Sequence, residues 1–406
     1  MKKKYSFFSK ILLTTIGFIY LTASAGAVEV IPVINAQILG AQYFFDSESG
    51  DFGGIANLDV IPAIKFSDEL SLIPSYYGMY KGTKDAAELA GGDTLFQESM
   101  SHTVILKLIR DYGILKVKPK VSYRQELINE TKDEEWGQGL FDFNKISGGI
   151  ELEKELMSPF LRKLRLGYDF YRIKFPNYES LETKYGTELA TTSGMGKDVL
   201  DFDTNEIYVQ SEWGFFSKLF SKLYYYTAFK SFGDQYLITS EGTYNSGLRE
   251  DTSNTLTLNF SLPVKRSVFG FDYVARSYSS TQDHYDATYL KYVKDYYDYD
   301  ESFFSPSYTI RIGDSENPIQ YYFSYSHTLR DYSGRFKQTN DGSYSTDLIN
   351  ITSNAFTVVT LRPITKNISF KASIYYEIQD SNMEYEQTYT YNYDIFTYFL
   401  GLSYQY

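Results

Sequence analysis

Basic residues recur at every second position from Lys116 through Lys118 to Lys120, and Arg124 continues the same phase. In an extended chain that spacing places all four on one face, with Leu115, Val117, Val121 and Tyr123 on the other. Lys107, Lys145, Lys163 and Arg165 fall in flanking segments of the same alternating kind. Arg276, Arg311 and Arg330 form a second group, and Lys371 occupies the polar face of a later segment. Cations lined up along a wall can draw anions through a pore. They can also pair with carboxylates on neighbouring strands and stiffen that wall. Carboxylates in the same phase are Asp59, Glu151, Glu153, Asp169, Glu206, Glu212, Asp272 and Glu377.

Other chemistry is thinly represented. The chain has three histidines: His102 beside Ser101, His284, and His327 beside Ser326. Adjacent residues in a strand point to opposite faces, so neither Ser–His neighbour pair can form a nucleophile–base couple. No catalytic residues are expected. Asp295, Asp298, Asp300 and Glu301 carry oxygen ligands of the type a divalent cation takes, but their spacing is not that of an EF-hand. They read as a solvated loop surface, as does Asp133-Glu134-Glu135. No metal and no cofactor is expected. Cysteine is absent, so no disulfide framework exists. The net charge of −12 argues against nucleic acid as a partner.

The elements that would position the basic residues are strands. Ile368, Phe370, Ala372, Ile374, Tyr376 and Ile378 alternate with Ser369, Lys371, Ser373, Tyr375, Glu377 and Gln379. Leu256, Leu258, Phe260, Leu262 and Val264 alternate with Thr255, Thr257, Asn259 and Ser261. The large apolar face suits lipid, and the charged face cannot fill a dry core. Sixteen such strands are expected, near 35–45, 54–66, 70–80, 99–110, 114–127, 140–155, 161–175, 204–217, 222–235, 253–264, 267–279, 302–313, 318–331, 349–362, 367–379 and 392–406. Short turns and long polar loops alternate between them. Mean hydropathy is −0.33, and no apolar run beyond the N-terminus is long enough for a spanning helix.

The two ends agree with this reading. Lys2, Lys3, Lys4 and Lys10 precede the apolar stretch 11–21, and Ala25-Gly26-Ala27 forms a small-residue cleavage site. Residues 1–27 are therefore expected to be a signal peptide, and 28–406 a single barrel domain. At the other end Tyr398, Leu400, Leu402, Tyr404 and Tyr406 alternate with small and polar residues.

That closing strand, the signal, the strand rhythm and the 41 Tyr and 30 Phe together resemble the bacterial outer-membrane porins of the sixteen-stranded kind. The resemblance implies an all-β fold: a transmembrane antiparallel barrel with short periplasmic turns and long extracellular loops. It implies that the closing residues serve as the assembly signal read by the barrel-assembly machinery. Outer-membrane lipid and lipopolysaccharide would surround the barrel, in a Gram-negative cell, with a homo-oligomer as one arrangement. The implied function is passive diffusion of small hydrophilic solutes, with the basic wall giving a mild anion preference. Two alternatives stay open: an adhesin or receptor working through its acidic, Tyr-rich loops, and a specific channel for anionic sugars. The longest loop, 176–203, is one candidate for a segment that folds into the lumen.

Overall fold

A computed structural model describes residues 28–46, 48–82, 97–131, 133–156, 158, 160–178, 198–215, 218–314, 317–387 and 389–406. The expected signal peptide and the centre of loop 176–203 lie outside these residues.

Sixteen antiparallel strands form one closed barrel. They are β1 (Ile34–Phe45), β2 (Glu48–Val60), β3 (Leu70–Lys81), β4 (Glu98–Asp111), β5 (Lys116–Asn129), β6 (Phe143–Glu155), β7 (Leu161–Lys174), β8 (Phe202–Phe215), β9 (Leu219–Ile238), β10 (Tyr244–Val264), β11 (Ser267–Ser280), β12 (Tyr299–Ile312), β13 (Ile319–Gln338), β14 (Tyr344–Pro363), β15 (Ile368–Ser381) and β16 (Tyr393–Gln405). Each pairs with its sequence neighbours, and β16 pairs back onto β1 with Leu402 opposite Ile38. Closure joins the last strand to the first, so within the barrel wall the ladder hydrogen bonds run from strand to strand without a free edge.

Every expected strand is present, with starts shifted by a few residues. The largest departures are at the long-loop end, where β9–β10 and β13–β14 run on as extended hairpins past register shifts near Tyr236 and Phe336. The other end has tight turns, with Gly113, Gly313 and Lys265 at positive φ. Near that end β1 and β2 are interrupted at Pro32 and Pro62, which lack the N–H a ladder needs. Short pieces, Glu29–Ile31 and Ala63–Lys65, continue the pairing beyond the breaks.

Burial alternates as lipid contact requires. Ile38, Val121, Ile146, Leu166, Ile207, Phe269, Phe356, Ile374, Leu400 and Leu402 are exposed on the outer face. On the inner face Lys118, Glu126, Glu153, Thr204, Gln210, Thr255 and Glu377 are buried. The usual order of a soluble protein is inverted, which a barrel in hydrocarbon demands.

Three inner-facing glycines act as gaps through which side chains reach across a strand. Lys120 of β5 reaches Asp169 of β7 at 2.7 Å, passing Gly149 of β6. Tyr208 of β8 donates to Glu151 of β6 at 3.1 Å across Gly167. Lys371 of β15 donates to Gln37 of β1 at 3.0 Å across Gly401 of β16. A Cβ at Gly149 would meet the Asp169 carboxylate, one at Gly167 the Tyr208 ring, and one at Gly401 the Ile38 carbonyl. The last obstacle is backbone, at the seam where the barrel closes. Gly401→Ala is therefore expected to destabilise the barrel by about 1–3 kcal/mol, the usual cost of forcing extra volume into packed structure. The midpoint of urea unfolding measures this. A wild-type midpoint would mean that the seam has room.

Candidate functional site: the charged inner wall

The inner wall between β4 and β8 is a network of ion pairs. Lys118 Nζ lies 3.0 Å from Glu151 and 2.6 Å from Glu153. Arg165 Nε lies 2.5 Å from Glu153, and its Nη1 lies 2.9 Å from Glu212. Lys116 pairs with Glu155 at 2.8 Å, and Arg124 with Glu126 at 2.6 Å. Lys107 stands 3.8 Å from Glu151, and Lys163 stands 4.0 Å from Glu212. The Lys145 ammonium sits 3.6 Å from the centroid of the Tyr171 ring.

Strand register explains this. Lys118 is directly opposite Glu151, Glu153 opposite Arg165, and Lys163 opposite Glu212. Cross-strand neighbours of opposite sign pair when they share a face. Every basic residue expected on this face stands there, but the ladder is interleaved with acid and is close to neutral as a wall. The sequence shows both sets of charges; it does not show which acid stands opposite which base.

The second group is arranged differently. Arg276 of β11 and Arg330 of β13 converge on Glu301 of β12, at 3.2 and 2.5 Å. Two guanidinium groups share one carboxylate, which leaves an excess of positive charge. Arg311 lies near the tight-turn end with its Nε 3.4 Å from Gln320 Oε1. Asp272 accepts from Asn259 at 2.6 Å, and Glu377 accepts from Ser353 at 2.5 Å. At the long-loop end Arg249 binds Asp251 at 2.8 Å.

The loop joining β11 to β12 contributes to this wall. It contains a small hairpin, His284–Asp286 with Lys291–Val293. Tyr297 packs against the inward-facing Arg249 and Tyr296 against Arg335, at 4.9 and 4.7 Å from guanidinium carbon to ring centroid. Ser333 N donates to the Asp298 carbonyl at 2.9 Å, tying the loop to the β13 extension. Residues 281–298 thus line the mouth, a role the sequence gives no periodic signal for. Burial pushes the His284 imidazole below its ordinary pKa, with Arg335 adding to that and Asp286 opposing it. Burial also pushes the Asp298 carboxyl up. The Asp298 carboxylate accepts from Ser280 N, and Asp300 lies in β12 opposite Ser277 and Asp331. No cluster able to hold a metal occurs among the described residues.

His102 and His327 are on the outer face. His102 Nδ1 shares a hydrogen bond with the Tyr76 hydroxyl, and His327 Nδ1 with Asn354, both at 2.9 Å. They belong to a set of outward couples that includes Tyr123–Asn144, Tyr168–Asn205, Tyr325–Asn354 and Tyr398–Gln42, at 2.7 to 2.8 Å. All but the His327–Asn354 couple satisfy a tyrosine hydroxyl on the outer face, as an interfacial girdle requires.

The residues expected to form the assembly signal stand on the outer face of β16. Tyr398, Leu400, Leu402 and Tyr404 are in register with Gln42, Gly40, Ile38 and Ala36 of β1. Tyr406 N donates to the Ile34 carbonyl at 2.9 Å, and Ile34 N returns a bond at 3.1 Å.

A closed sixteen-stranded barrel, apolar outside and charged inside, is a transmembrane β-barrel of porin architecture. No protein-family model and no curated protein sequence matches the chain. Solved structures similar to it include a loop-deletion mutant of OmpT, an outer membrane protein of Vibrio cholerae, at 12% identity and TM-score 0.48. The likeness covers 94% of this chain and 100% of that one. An anion-selective porin from Comamonas acidovorans is 8% identical at TM-score 0.46, covering 93% and 100%. OccK2 of Pseudomonas aeruginosa in complex with glucuronate is 9% identical at TM-score 0.41, covering 93% and 98%.

Proposed function

We propose that this chain is an outer-membrane channel through which small hydrophilic solutes diffuse passively, with a mild preference for anions. The observation that carries the reading is the inverted barrel: exposed Leu, Ile and Phe outside, charge and hydroxyls inside. A barrel of about sixteen strands is wide enough for an aqueous path. The signal peptide at residues 1–27 would deliver the chain to the periplasm. The closing strand would hand it to the assembly machinery. Lipid and lipopolysaccharide would contact the outer girdle, and a homo-oligomer fits the same reading. His102 and His327 serve as girdle residues, and no enzymatic role is proposed.

Anion preference on this reading comes from the arginine wall more than from the lysine ladder. Lys116, Lys118 and Lys120 each have a carboxylate within 3 Å. Along β9 to β15, Lys230, Arg249, Arg276, Arg311, Arg330 and Lys371 outnumber Asp251, Asp272, Glu301 and Glu377. Planar-bilayer conductance of the purified protein tests the channel, and the reversal potential in a salt gradient tests its sign. Replacing Arg276 and Arg330 together by glutamine leaves Glu301 uncompensated. The reversal potential should then move toward the cation value. An unmoved potential would place the selective constriction elsewhere, and absence of conductance would remove the channel reading.

A further inference from the structure

We infer that the mouth of the barrel holds a binding site for a small carboxylate-bearing ring solute, such as a sugar acid, centred on Arg335. The inference rests on the channel reading for its direction of access, and on local geometry for the site itself.

Arg335 differs from the other inward arginines near the mouth. Arg249 has Asp251, and Arg330 has Glu301. No carboxylate lies within ion-pairing distance of Arg335 among the described residues, and its Nε, shielded from solvent, has no hydrogen-bond partner. Its Nη2 donates to the Tyr391 hydroxyl at 2.5 Å. The rings of Tyr296, Tyr332 and Tyr391 stand 4.7, 5.3 and 5.7 Å from its guanidinium carbon. Cation–π contact accounts for part of the stabilisation of this charge. Tyr391 takes one Nη2 hydrogen and the Nε edge is closed to solvent, so the in-plane donors left for a ligand are those of the Nη1–Nη2 edge, and such a fork matches a carboxylate.

Beside it is a cleft of about 390 Å³, lined by Arg330, Tyr332, Arg335, Gln379, Tyr389 and Tyr391. Glu301 and Glu377 also line it, but Glu301 is held by Arg276 and Arg330, and Glu377 by the hydroxyls of Ser353 and Tyr375. The volume suits a monosaccharide or a compound of similar size. Tyr389 and Tyr391 lie 4.7 Å apart on one side and Tyr332 stands on the other, so flat faces border the charge on two sides. A ring with one apolar face would pack there, with hydroxyls directed to Gln379. An inorganic anion would engage the charge and waste the aromatic faces. An uncharged sugar would use the faces and leave Arg335 as it is. A ligand bearing both features uses the whole cleft.

Calorimetric titration of the full-length folded protein in detergent, with sodium galacturonate, galactose and sodium acetate, tests the site apart from the pore. Galacturonate should bind at least about tenfold more tightly than either control, as one additional charge-assisted bidentate contact would produce. Arg335→Met should weaken galacturonate binding by about ten- to a hundredfold. Arg335→Lys, which keeps charge without the fork, should fall between. Lys366→Gln, in a tight turn at the opposite end, should bind as wild type. Heat-modifiable mobility on gels verifies that each variant is folded; if Arg335→Met does not fold, Arg335→Lys decides. Equal affinity of the arginine variants and wild type, equal affinity for galacturonate and acetate, or no heat at all would overturn the site. Galacturonate binding in a protein that conducts no current would uphold the site and overturn the channel; conductance without binding would do the reverse.

Discussion

Glu153→Gln should destabilise the barrel by about 3 kcal/mol, one of the two largest single-residue effects expected in this protein. Glu153 is 4% exposed and binds Lys118 and Arg165 at once. Lys118 is itself 7% exposed. Removing one partner from a buried pair leaves the other charge desolvated, which costs about 3–5 kcal/mol. The lower figure applies because Arg165 keeps Glu212 and Lys118 keeps Glu151. The measurement is the urea midpoint for loss of the compact, unheated gel form. Asp203→Asn provides the contrast. Its pair with Arg172, at 2.6 Å, is on the outer face near the long-loop end, and Arg172 is half-exposed. Exposed pairs contribute about 0–1 kcal/mol, so Asp203→Asn should shift the midpoint far less. Equal shifts would mean that water penetrates the inner network enough to screen it.

Leu402→Arg is the second. Leu402 is 51% exposed on the outer face, between Ile38 of β1 and Phe370 of β15. A guanidinium placed in hydrocarbon there costs about 2–4 kcal/mol at full depth. The strand affected is the one that closes the barrel, so the loss should appear as reduced assembly and not only as lower stability. Ser403→Arg is the informative control. Ser403 faces inward opposite Gln37 and Ser369, where an arginine can stay hydrated. Folded, heat-modifiable protein should be recovered in membranes for Ser403→Arg and be depleted for Leu402→Arg. Similar yields for both would show that the assigned faces of β16 are wrong. Deleting Tyr406 removes the paired backbone bonds to Ile34 and should lower yield in the same assay.

How much of this was legible in the residues depends on the range of each interaction. The period-two alternation of β5, β10, β13, β15 and β16 was determined locally, because a strand in lipid must expose one apolar face whatever its neighbours are. Sixteen strands, their order and the inward placement of Lys118, Arg165 and Arg330 follow from that alternation together with the turn lengths. Registers do not. Whether Lys118 meets Glu151 or another acid depends on a stagger accumulated around the closed ring, and that decided whether the lysines form a bare ladder or a paired wall. Gly149, Gly167 and Gly401 look alike in sequence to other strand glycines. Only the pairing shows that each stands between two side chains that must meet. The Arg335 cleft is more remote still. It joins β13, the end of β15 and two loops, segments with no shared period, so nothing in the order of residues marks them as neighbours. Local chemistry thus settled which way each side chain faces, and ring closure settled what it faces.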